Sequence, residues 1–213
     1  LTVGLSHQTA PVELRERLTF APDRLSLALK HLSEMKSVLE AVIVSTCNRM
    51  ELYVVADQLH TGEYYSKAFM ENWFHIDRKE FEPYLYVKKE EAAVEHLLRV
   101  VSGLDSLVVG ETQILGQVKE AYQIALETGT TGTIFNELMT RAFRFGKRAH
   151  RETEIGQNAV SVSYAAVELG KKLFASFQGK TVVLLGAGQM SELTAKHFQA
   201  NGADRLMVLN RTL

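Results

Sequence analysis

The chain has 213 residues, of which 46% are hydrophobic and 23% are charged, and its formal net charge at pH 7 is −1. This composition is typical of a globular protein with one or two domains, and the near-zero charge excludes a whole-molecule field that attracts nucleic acid. The one cysteine, Cys47, excludes an internal disulfide framework and a cysteine-cluster metal site, and it favours a reducing compartment. No apolar run approaches the length of a membrane span, so we expect no membrane contact.

Strand and helix patterns interleave over residues 1–88. Apolar and β-branched runs predict strands, and apolar residues at helical spacing predict helices. The predicted strands are Thr2–Ser6, Val38–Thr46, Met50–Ala56 and Tyr84–Val87, and the predicted helices are Pro22–Glu34 and Thr61–Phe74. This order predicts a small α+β sandwich, in which helices cover one face of a sheet.

Residues 89–177 are predicted to be almost wholly helical. The first helix has an apolar stripe that consists of Ala93, Leu97, Val101 and Leu104. The glycines between Gly103 and Gly116 predict a loop or a helix boundary. Further helices are predicted over Gln113–Thr128, over Thr133–Thr153 with Thr133 as the N-cap, and over Ala159–Phe177.

The pattern changes at Gly179, after which a strand, a glycine-rich turn, a helix and a second strand follow one another. The apolar run Thr181–Leu185 predicts a strand buried on both faces, and Arg205–Leu209 predicts its neighbour. This is the first half of a dinucleotide-binding βαβ unit, and two strands cannot make a doubly wound sheet, so we expect a fragment of a longer protein. The predicted domains are an α+β domain with a helical second half over 1–150, a connecting helix over 151–178, and the incomplete start of an α/β Rossmann-type dinucleotide-binding domain over 179–213.

The glycine-rich turn is a candidate cofactor site. Gly186 permits a tight turn, and Gly188 lets the backbone approach a pyrophosphate at the helix N-terminus. Ser191 stands where the motif has glycine or alanine, which weakens the match. After the second strand, Asn210 and Arg211 replace the carboxylate that binds the ribose of NAD, and because an arginine pairs with a 2′-phosphate, NADPH is favoured. The alternatives are a purely structural turn and an exposed arginine at a strand end.

Cys47 is the candidate nucleophile. It follows the apolar run Ala41–Val44, which predicts a buried strand that delivers side chains to an edge. Because alternate strand residues share a face, Cys47 and Arg49 are predicted to lie together, and a guanidinium favours the reactive thiolate. The alternative is that Cys47 is a small buried hydrophobic residue.

Three other features suit binding or catalysis. In the run Ser102–Gln113, Glu111 and Gln113 suit the ammonium and carbonyl of a small ligand, although helix capping uses the same residue types. His96 lies at the edge of its apolar stripe, which suits a proton carrier facing a cleft or a structural histidine. A basic stripe is a candidate phosphate-backbone contact, or else a solvated helix face, and it consists of Arg141, Arg144, Lys147, Arg148 and Arg151.

Four segments together resemble the glutamyl-tRNA reductase family, over essentially the whole chain. They are Gly4–Val12, Ser45–Glu51, Ser102–Val118 and Gly186–Met190. The resemblance implies NADPH-dependent reduction of glutamyl-tRNA(Glu) to glutamate-1-semialdehyde, the first step of tetrapyrrole synthesis from glutamate. It implies that Cys47 attacks the aminoacyl ester and that the resulting thioester accepts hydride, which a thioester does far more readily than a carboxylate.

The resemblance also assigns site residues. Cys47 and His96 match positions tied to activity, and the role of His96 stays open between acid, base and orienting residue. The substrate-binding positions are Thr46, Asn48, Arg49, Ser106, Glu111, Thr112, Gln113 and Gln117, with Arg49 as the natural partner of a carboxylate. The NADPH segment is Gly186, Ala187, Gly188, Gln189, Met190 and Ser191, to which the strand end adds Asn210 and Arg211.

The implied partners are glutamyl-tRNA(Glu), a second copy of the full-length protein through a missing C-terminal domain, and glutamate-1-semialdehyde aminomutase as the next enzyme. We expect this fragment to retain acylation of Cys47 but not the reduction, and we expect a cytoplasmic location. Two rivals stay open. One is a shikimate-type NADP dehydrogenase, whose nucleotide domain also pairs a Gly-Ala-Gly turn with an Asn-Arg-Thr strand end. The other is a non-catalytic tRNA-binding module that uses the basic stripe.

Overall fold

A computed structural model describes residues 1–153, 155 and 162–211 of the chain, except for the side chains of Val162 and Gln189. The chain forms two compact units, Leu1–Gln157 and Asn158–Leu213. Within the described ranges, no helix combines the length and the apolar character that crossing a membrane requires.

The first unit is built on a four-stranded antiparallel sheet with the strand order β2-β3-β1-β4. Its strands are β1 (Thr2–Ser6), β2 (Val38–Ser45), β3 (Arg49–Ala56) and β4 (Tyr86–Lys88). The whole of β1 and the first six residues of β3 are buried, so both faces of the sheet are covered and not the single face that the sequence predicts. Helices that pack against the sheet explain this burial, since they contact β2, β3 and β1.

The described residues of the first unit form seven α-helices, several of which pack against this sheet. They are α1 (Val12–Arg17), α2 (Leu25–Ser33), α3 (Leu59–Phe74), α4 (Arg78–Phe81), α5 (Glu90–Val101), α6 (Gln113–Thr128) and α7 (Thr133–Glu152), with a 3₁₀ turn at Pro22–Arg24 before α2 and another at Glu82–Tyr84. Helices α2 and α6 pack on β2, and α3 packs on β3. The four strands and the long helices lie where the sequence predicts them, whereas α1 and α4 are too short to carry a helical period.

Two predictions about the helical region are wrong. Leu104 does not extend the apolar stripe of α5, because α5 ends at Val101 and Leu104 is 40% exposed. Thr133 does not cap α7, because it is the first helical residue and Gly132 holds the cap position. The cap is supplied from β2 instead, since the carboxylate of Glu40 accepts the N–H groups of Ile134 at 3.0 Å and Phe135 at 2.7 Å.

The second unit is a parallel βαβ arrangement preceded by a helix. Its described elements are α8 (Val162–Phe174), β5 (Thr181–Leu185), α9 (Gln189–Ala200) and β6 (Arg205–Leu209), and β5 pairs in register with β6. A small core unites Val167, Phe177 and Ala203. The prediction that β5 is buried on both faces is wrong, because Val183 is 49% and Leu185 80% exposed. The N-terminal part of the predicted helix Ala159–Phe177 lies outside the described residues.

Candidate active site

Cys47 lies in the tight turn that joins β2 to β3, and its side chain is exposed. Thr46 closes the turn, since its N–H donates to the carbonyl oxygen of Arg49 at 2.8 Å and its Oγ1 accepts the N–H groups of Asn48 and Arg49 at 3.2 Å. A hydroxyl that accepts from the following backbone is a usual way to fix a turn. The strand alternation that predicts a shared face for Cys47 and Arg49 therefore does not apply, and the exposure excludes a buried hydrophobic role.

The main chain of this turn is also held from outside. The guanidinium of Arg15, on α1, donates from Nη1 to the carbonyl oxygen of Cys47. The N–H of His7 donates to the carbonyl oxygen of Asn48 at 2.8 Å. Both contacts fix the backbone just after the Cys47 side chain, at the carbonyls of Cys47 and Asn48, and the thiol stays exposed.

His7 places an imidazole close to this turn. Burial lowers the pKa of His7, and the positive charges of Arg49 and Arg15 lower it further by repelling the imidazolium. The ring is therefore neutral at pH 7.

Arg49 starts β3 and its guanidinium is engaged inside the protein. The residue is 3% exposed, and Nη1 donates to Glu51 Oε1 at 2.8 Å while Nη2 donates to the carbonyl oxygen of Asp105 at 2.6 Å. Burial alone would lower the pKa of Arg49, but the adjacent Glu51 carboxylate raises it, so the cation is fixed. The carboxylate that Arg49 meets in the described residues is thus that of Glu51.

Glu51 is a fully buried carboxylate that accepts four side-chain hydrogen bonds. Its donors are Arg49 Nη1 at 2.8 Å, Tyr53 OH at 2.7 Å, Tyr86 OH and His96 Nε2 at 2.7 Å. Burial by itself raises the pKa of Glu51, but the contact with His96, the charge of Arg49 and the Tyr86 hydroxyl outweigh it and lower that pKa to about 2. Glu51 is therefore ionised at neutral pH and acts only as an acceptor.

This ionisation defines how His96 is held. Because the Glu51 carboxylate cannot donate, Nε2 of His96 must carry the hydrogen of the 2.7 Å contact. The other ring nitrogen, Nδ1, lies 3.6 Å from Asp105 Oδ2. The imidazole ring thus stands between two carboxylates, one from β3 and one from the segment between α5 and α6.

A cavity of about 380 Å³ opens over this cluster. Its lining residues are Ser6, Gln8, Thr9, Arg49, Tyr86, Lys88, Ala92, Glu95, His96, Arg99 and Asp105. The volume is in the range of small-molecule sites. The lining mixes cations, namely Lys88 and Arg99, with the carboxylates of Glu95 and Asp105, which suits a ligand that bears both an ammonium group and a carboxylate.

The residues predicted for the catalytic and substrate site are spread over five places. Arg49 and His96 line the cavity, and Thr46, Cys47 and Asn48 form the turn where β3 begins. Ser106 is buried next to Asp105, and Glu111 is half-buried with a pKa that burial raises. Thr112 and Gln113 are exposed at the start of α6, and Gln117 lines a separate cavity with Phe20 and Ser45.

Sequence reasoning missed four members of the cluster around Glu51, namely Glu51 itself, Tyr53, Tyr86 and Asp105. Glu51 carries a signal, because it is the one charged residue inside the otherwise apolar strand pattern Met50–Ala56. Asp105 lies within the polar run Ser102–Gln113, but nothing in the sequence distinguishes it from its neighbours. Tyr86 gives no signal, since its position opposite Gly4 of β1 follows only from the strand pairing.

The segment between α5 and α6 has a fixed shape. Gly103 has φ +74°, and the N–H of Gly110 donates to its carbonyl oxygen at 2.9 Å. A Cβ atom at Gly103 would lie 2.8 Å from the carbonyl oxygen of Glu111, so both the conformation and the space require glycine. This closed loop delivers Asp105 and Ser106 next to the cavity.

In the second unit, the turn after β5 has the features that a pyrophosphate needs. Gly186 has φ +104°, and its N–H donates to the carbonyl oxygen of Leu209 at 2.7 Å. Gly188 precedes α9, where a Cβ atom would meet open space. Among the described residues no side chain caps α9, so its first N–H groups can bind an anion. Arg211 is exposed after β6.

The basic stripe on α7 is exposed but partly neutralised. Arg141 pairs with Glu137, and Arg148 and Arg151 both pair with Glu152. Arg144 and Lys147 are exposed and have no acidic partner in the described part of the chain, whereas Phe145, which is 46% exposed, lies to one side of them on the helix. The available positive charge is thus concentrated on Arg144 and Lys147.

Comparisons with known proteins agree with the resemblance seen in the sequence. The family model described as Glutamyl-tRNAGlu reductase, N-terminal domain, matches residues 3–153, and the model described as Shikimate / quinate 5-dehydrogenase matches residues 168–213. The glutamyl-tRNA reductases of Halalkalibacterium halodurans and Brevibacillus brevis are each 58% identical over 100% of this chain, which covers 46% and 47% of those proteins.

A solved structure gives the same result. Glutamyl-tRNA reductase from Methanopyrus kandleri is 36% identical, with a TM-score of 0.66 over 99% of this chain and 49% of that one. The chain therefore spans about half the length of the relatives it matches. With a family model over residues 3–153 and a relative of the same fold, the chain belongs to the glutamyl-tRNA reductase family.

Proposed function

We propose that this chain is the catalytic part of an NADPH-dependent glutamyl-tRNA reductase and that Cys47 accepts the glutamyl group from glutamyl-tRNA(Glu). The observation that carries the proposal is the exposed sulfur of Cys47, in a turn whose backbone is fixed by Thr46, Arg15 and His7. A nucleophile needs access and a fixed position, and this turn supplies both.

The acyl transfer balances with the groups present. The Cys47 thiolate attacks the carbonyl carbon of the aminoacyl ester, a C–S bond forms, and the bond to the 3′-oxygen of the tRNA breaks. The leaving oxygen takes a proton. His96 is the candidate that manages protons or orients the substrate, because Glu51 fixes its ring at Nε2 and leaves Nδ1 for other contacts.

The glutamyl group would bind between the turn and the cavity. The residues proposed to contact it are Thr46, Asn48, Arg49, Ser106, Glu111, Thr112, Gln113 and Gln117. Because Arg49 is already paired with Glu51 and bound to the carbonyl oxygen of Asp105, we propose that it holds the site together, while Lys88 in the cavity lining supplies a cation for a substrate carboxylate.

The second unit is proposed to begin the NADPH-binding domain, over residues 179–213, after a catalytic domain over 1–150 and a connecting helix over 151–178. The φ of Gly186 and the open space at Gly188 suit a pyrophosphate at the N-terminus of α9, and Arg211 suits a 2′-phosphate. Gly186, Ala187, Gly188, Gln189, Met190, Ser191 and Asn210 complete the proposed set. A bound NADPH would supply the hydride that converts the thioester carbonyl to the aldehyde.

The tRNA is proposed to contact the exposed face of α7. Arg144 and Lys147 offer two cations that no acidic side chain of the described residues neutralises. Phosphate contacts of this kind give sequence-independent affinity. The homodimer, the contact with the aminomutase and a cytoplasmic location are proposals for the full-length protein.

The test is to mix the chain with glutamyl-tRNA that carries labelled glutamate. We expect the label to reach the wild-type protein, to be released by hydroxylamine as a thioester is, and to be absent from the Cys47→Ser variant. Addition of NADPH is expected to give no semialdehyde, because residues 179–213 hold only part of a nucleotide-binding domain. Label on the Cys47→Ser variant that hydroxylamine releases as it releases a thioester, or no label on the wild type, would exclude acylation of Cys47.

A shikimate-type dehydrogenase is the second candidate, and the family match over residues 168–213 favours it. That enzyme would act on free small acids and would not need Cys47. NADP-linked oxidation of shikimate by the full-length protein, without tRNA, would support it. A non-catalytic tRNA-binding module, by contrast, predicts tRNA binding without any label on the protein.

A further inference from the structure

Asp105 is the point at which three parts of the site meet. The guanidinium of Arg99 donates three hydrogen bonds to the Asp105 carboxylate. Nη2 donates to Oδ1 at 2.7 Å, and Nε donates to Oδ1 at 3.1 Å and to Oδ2 at 3.2 Å. Asp105 Oδ2 lies 3.6 Å from His96 Nδ1. Its backbone carbonyl accepts Arg49 Nη2 at 2.6 Å. One residue of the loop between α5 and α6 therefore contacts both cavity residues that the sequence predicts.

These contacts complete the restraint on His96. Glu51 holds the ring at Nε2 from β3, and Asp105 faces the opposite nitrogen from the loop. Glu51 is hydrogen-bonded to Nε2, whereas the 3.6 Å from Asp105 Oδ2 to Nδ1 is longer than a hydrogen bond, so Asp105 acts on the ring through its charge. The Asp105 side chain is only 15% exposed, whereas Arg99 is 48% exposed, so Arg99 acts from the outer side of the cavity.

The loop between α5 and α6 can position Asp105 because hydrogen bonds close it on itself. The hydrogen bond from the Gly110 N–H to the Gly103 carbonyl oxygen shuts the loop, and Ser106 N–H donates to the same oxygen at 3.3 Å. Asp105 thus projects from a rigid turn and not from a free chain. A contact made from a rigid element is more exact than one made from a mobile loop.

We propose that Asp105, anchored by Arg99, is a positioning residue. Its carboxylate orients the His96 ring from the side of Nδ1, and its carbonyl oxygen fixes the guanidinium of Arg49 at the cavity. The expected effect on the rate of Cys47 acylation rests on the proposed function. The expected effect on the His96 ring rests on the contacts alone. Displacement of a group near the chemistry by about 1 Å costs up to roughly 100-fold in rate, so this is the scale of the effect to expect.

The first experiment measures His96 directly by ¹⁵N NMR of its imidazole. In the wild-type chain we expect a hydrogen on Nε2, and in Asp105→Asn we expect the Nδ1 resonance to move. Glu80→Gln is the matched control, because Glu80 forms a surface pair with Arg17 at 3.0 Å, outside the cavity lining, and should leave both resonances unchanged. An Nδ1 resonance that is the same in Asp105→Asn and the wild type would overturn the proposal, whatever the activity.

The second experiment compares Cys47 acylation by glutamyl-tRNA, and loss of the glutamyl group from the thioester, in single turnovers. We expect Asp105→Asn and Arg99→Gln to slow the step that depends on His96 by roughly 10-fold to 100-fold, and Arg99→Lys to recover part of the rate. In the His96→Gln background, Asp105→Asn should add no further loss, because it acts through a ring that is no longer there.

The outcomes separate the two proposals. Losses that multiply in the double variant would mean that Asp105 acts independently of His96, which overturns the positioning role. An unacylated wild type in which Asp105→Asn still moves the Nδ1 resonance would refute the proposed function and leave the positioning contact supported. A thermal melt of each variant, read from Trp73 fluorescence, identifies a variant that has simply unfolded.

Discussion

Replacing Glu51 by glutamine should strongly destabilise the first unit, because it removes the charge on which four donors converge. The introduced amide would keep one acceptor oxygen and would leave Arg49 buried at 3% exposure without a counter-charge. Breaking a buried ion pair by removing one partner costs roughly 3–5 kcal/mol. The hydroxyls of Tyr53 and Tyr86 can turn to meet an amide, so the loss of charge should dominate the effect.

The pKa of Glu51 gives a second value for the stability that the Glu51 charge contributes. Its value of about 2 in the folded chain, against an ordinary 4.5, corresponds to about 3 kcal/mol at roughly 1.4 kcal/mol for each tenfold change. Because the folded-state pKa is lowered, this stabilisation is present above pH 4.5 and is lost as the pH falls towards 2. The wild type should therefore lose about 3 kcal/mol over that interval that the Glu51→Gln variant does not lose.

Urea unfolding followed by tryptophan fluorescence measures both effects. Trp73 is the one tryptophan and packs against Phe20 and Phe69, with ring centroids 5.9 Å apart in each case, so its signal reports on the first unit. Glu80→Gln is the control, since an exposed ion pair contributes under about 1 kcal/mol. The buried-charge reasoning would be refuted if the free energy of unfolding of Glu51→Gln lay within about 1 kcal/mol of the wild-type value at pH 7 and both proteins lost the same stability between pH 4.5 and 2.

Three other changes test separate parts of the structure. Glu40→Ala should lower the free energy of unfolding by about 1–3 kcal/mol, because the buried N–H groups of Ile134 and Phe135 lose their acceptor, and urea unfolding checks it. Gly103→Ala should cost more than about 1 kcal/mol in the same assay, since φ is +74° and a Cβ would lie 2.8 Å from a carbonyl oxygen; an unchanged midpoint would contradict this. Arg144→Gln combined with Lys147→Gln should lower the slope of log K for tRNA against log salt by roughly 2, whereas the exposed control Lys36→Gln should not; equal slopes in all three proteins would exclude the α7 contact.

The sequence predicts the order of strands and long helices well because each carries a clear apolar period. It predicts the loop near Gly103 and the turn at Gly186 because glycines mark turns, and both residues have a positive φ that glycine adopts most readily. It fails for Thr133, since the cap of α7 comes from Glu40, which lies 94 residues from Ile134. No local pattern contains such a contact.

In the candidate site too, the sequence indicates the residue types but not the contacts between residues distant in the chain. Cys47, Arg49 and His96 stand out as residue types that do chemistry, and the structure brings Arg49 and His96 to one cavity. The geometry between them does not follow from the pattern, because Cys47 lies in a turn and not on a strand face. Glu51 organises the cluster through contacts to β4 and α5, which only the folded chain makes.

The most direct test of covalent catalysis is peptide mapping by mass spectrometry after the wild-type chain has been mixed with glutamyl-tRNA and quenched in acid. We expect the added mass of one glutamyl group on the peptide that contains Cys47, at up to one group per chain, and on no other peptide. A Cys47 peptide without added mass, while deacylated tRNA accumulates faster than without protein, would contradict acyl transfer to this sulfur.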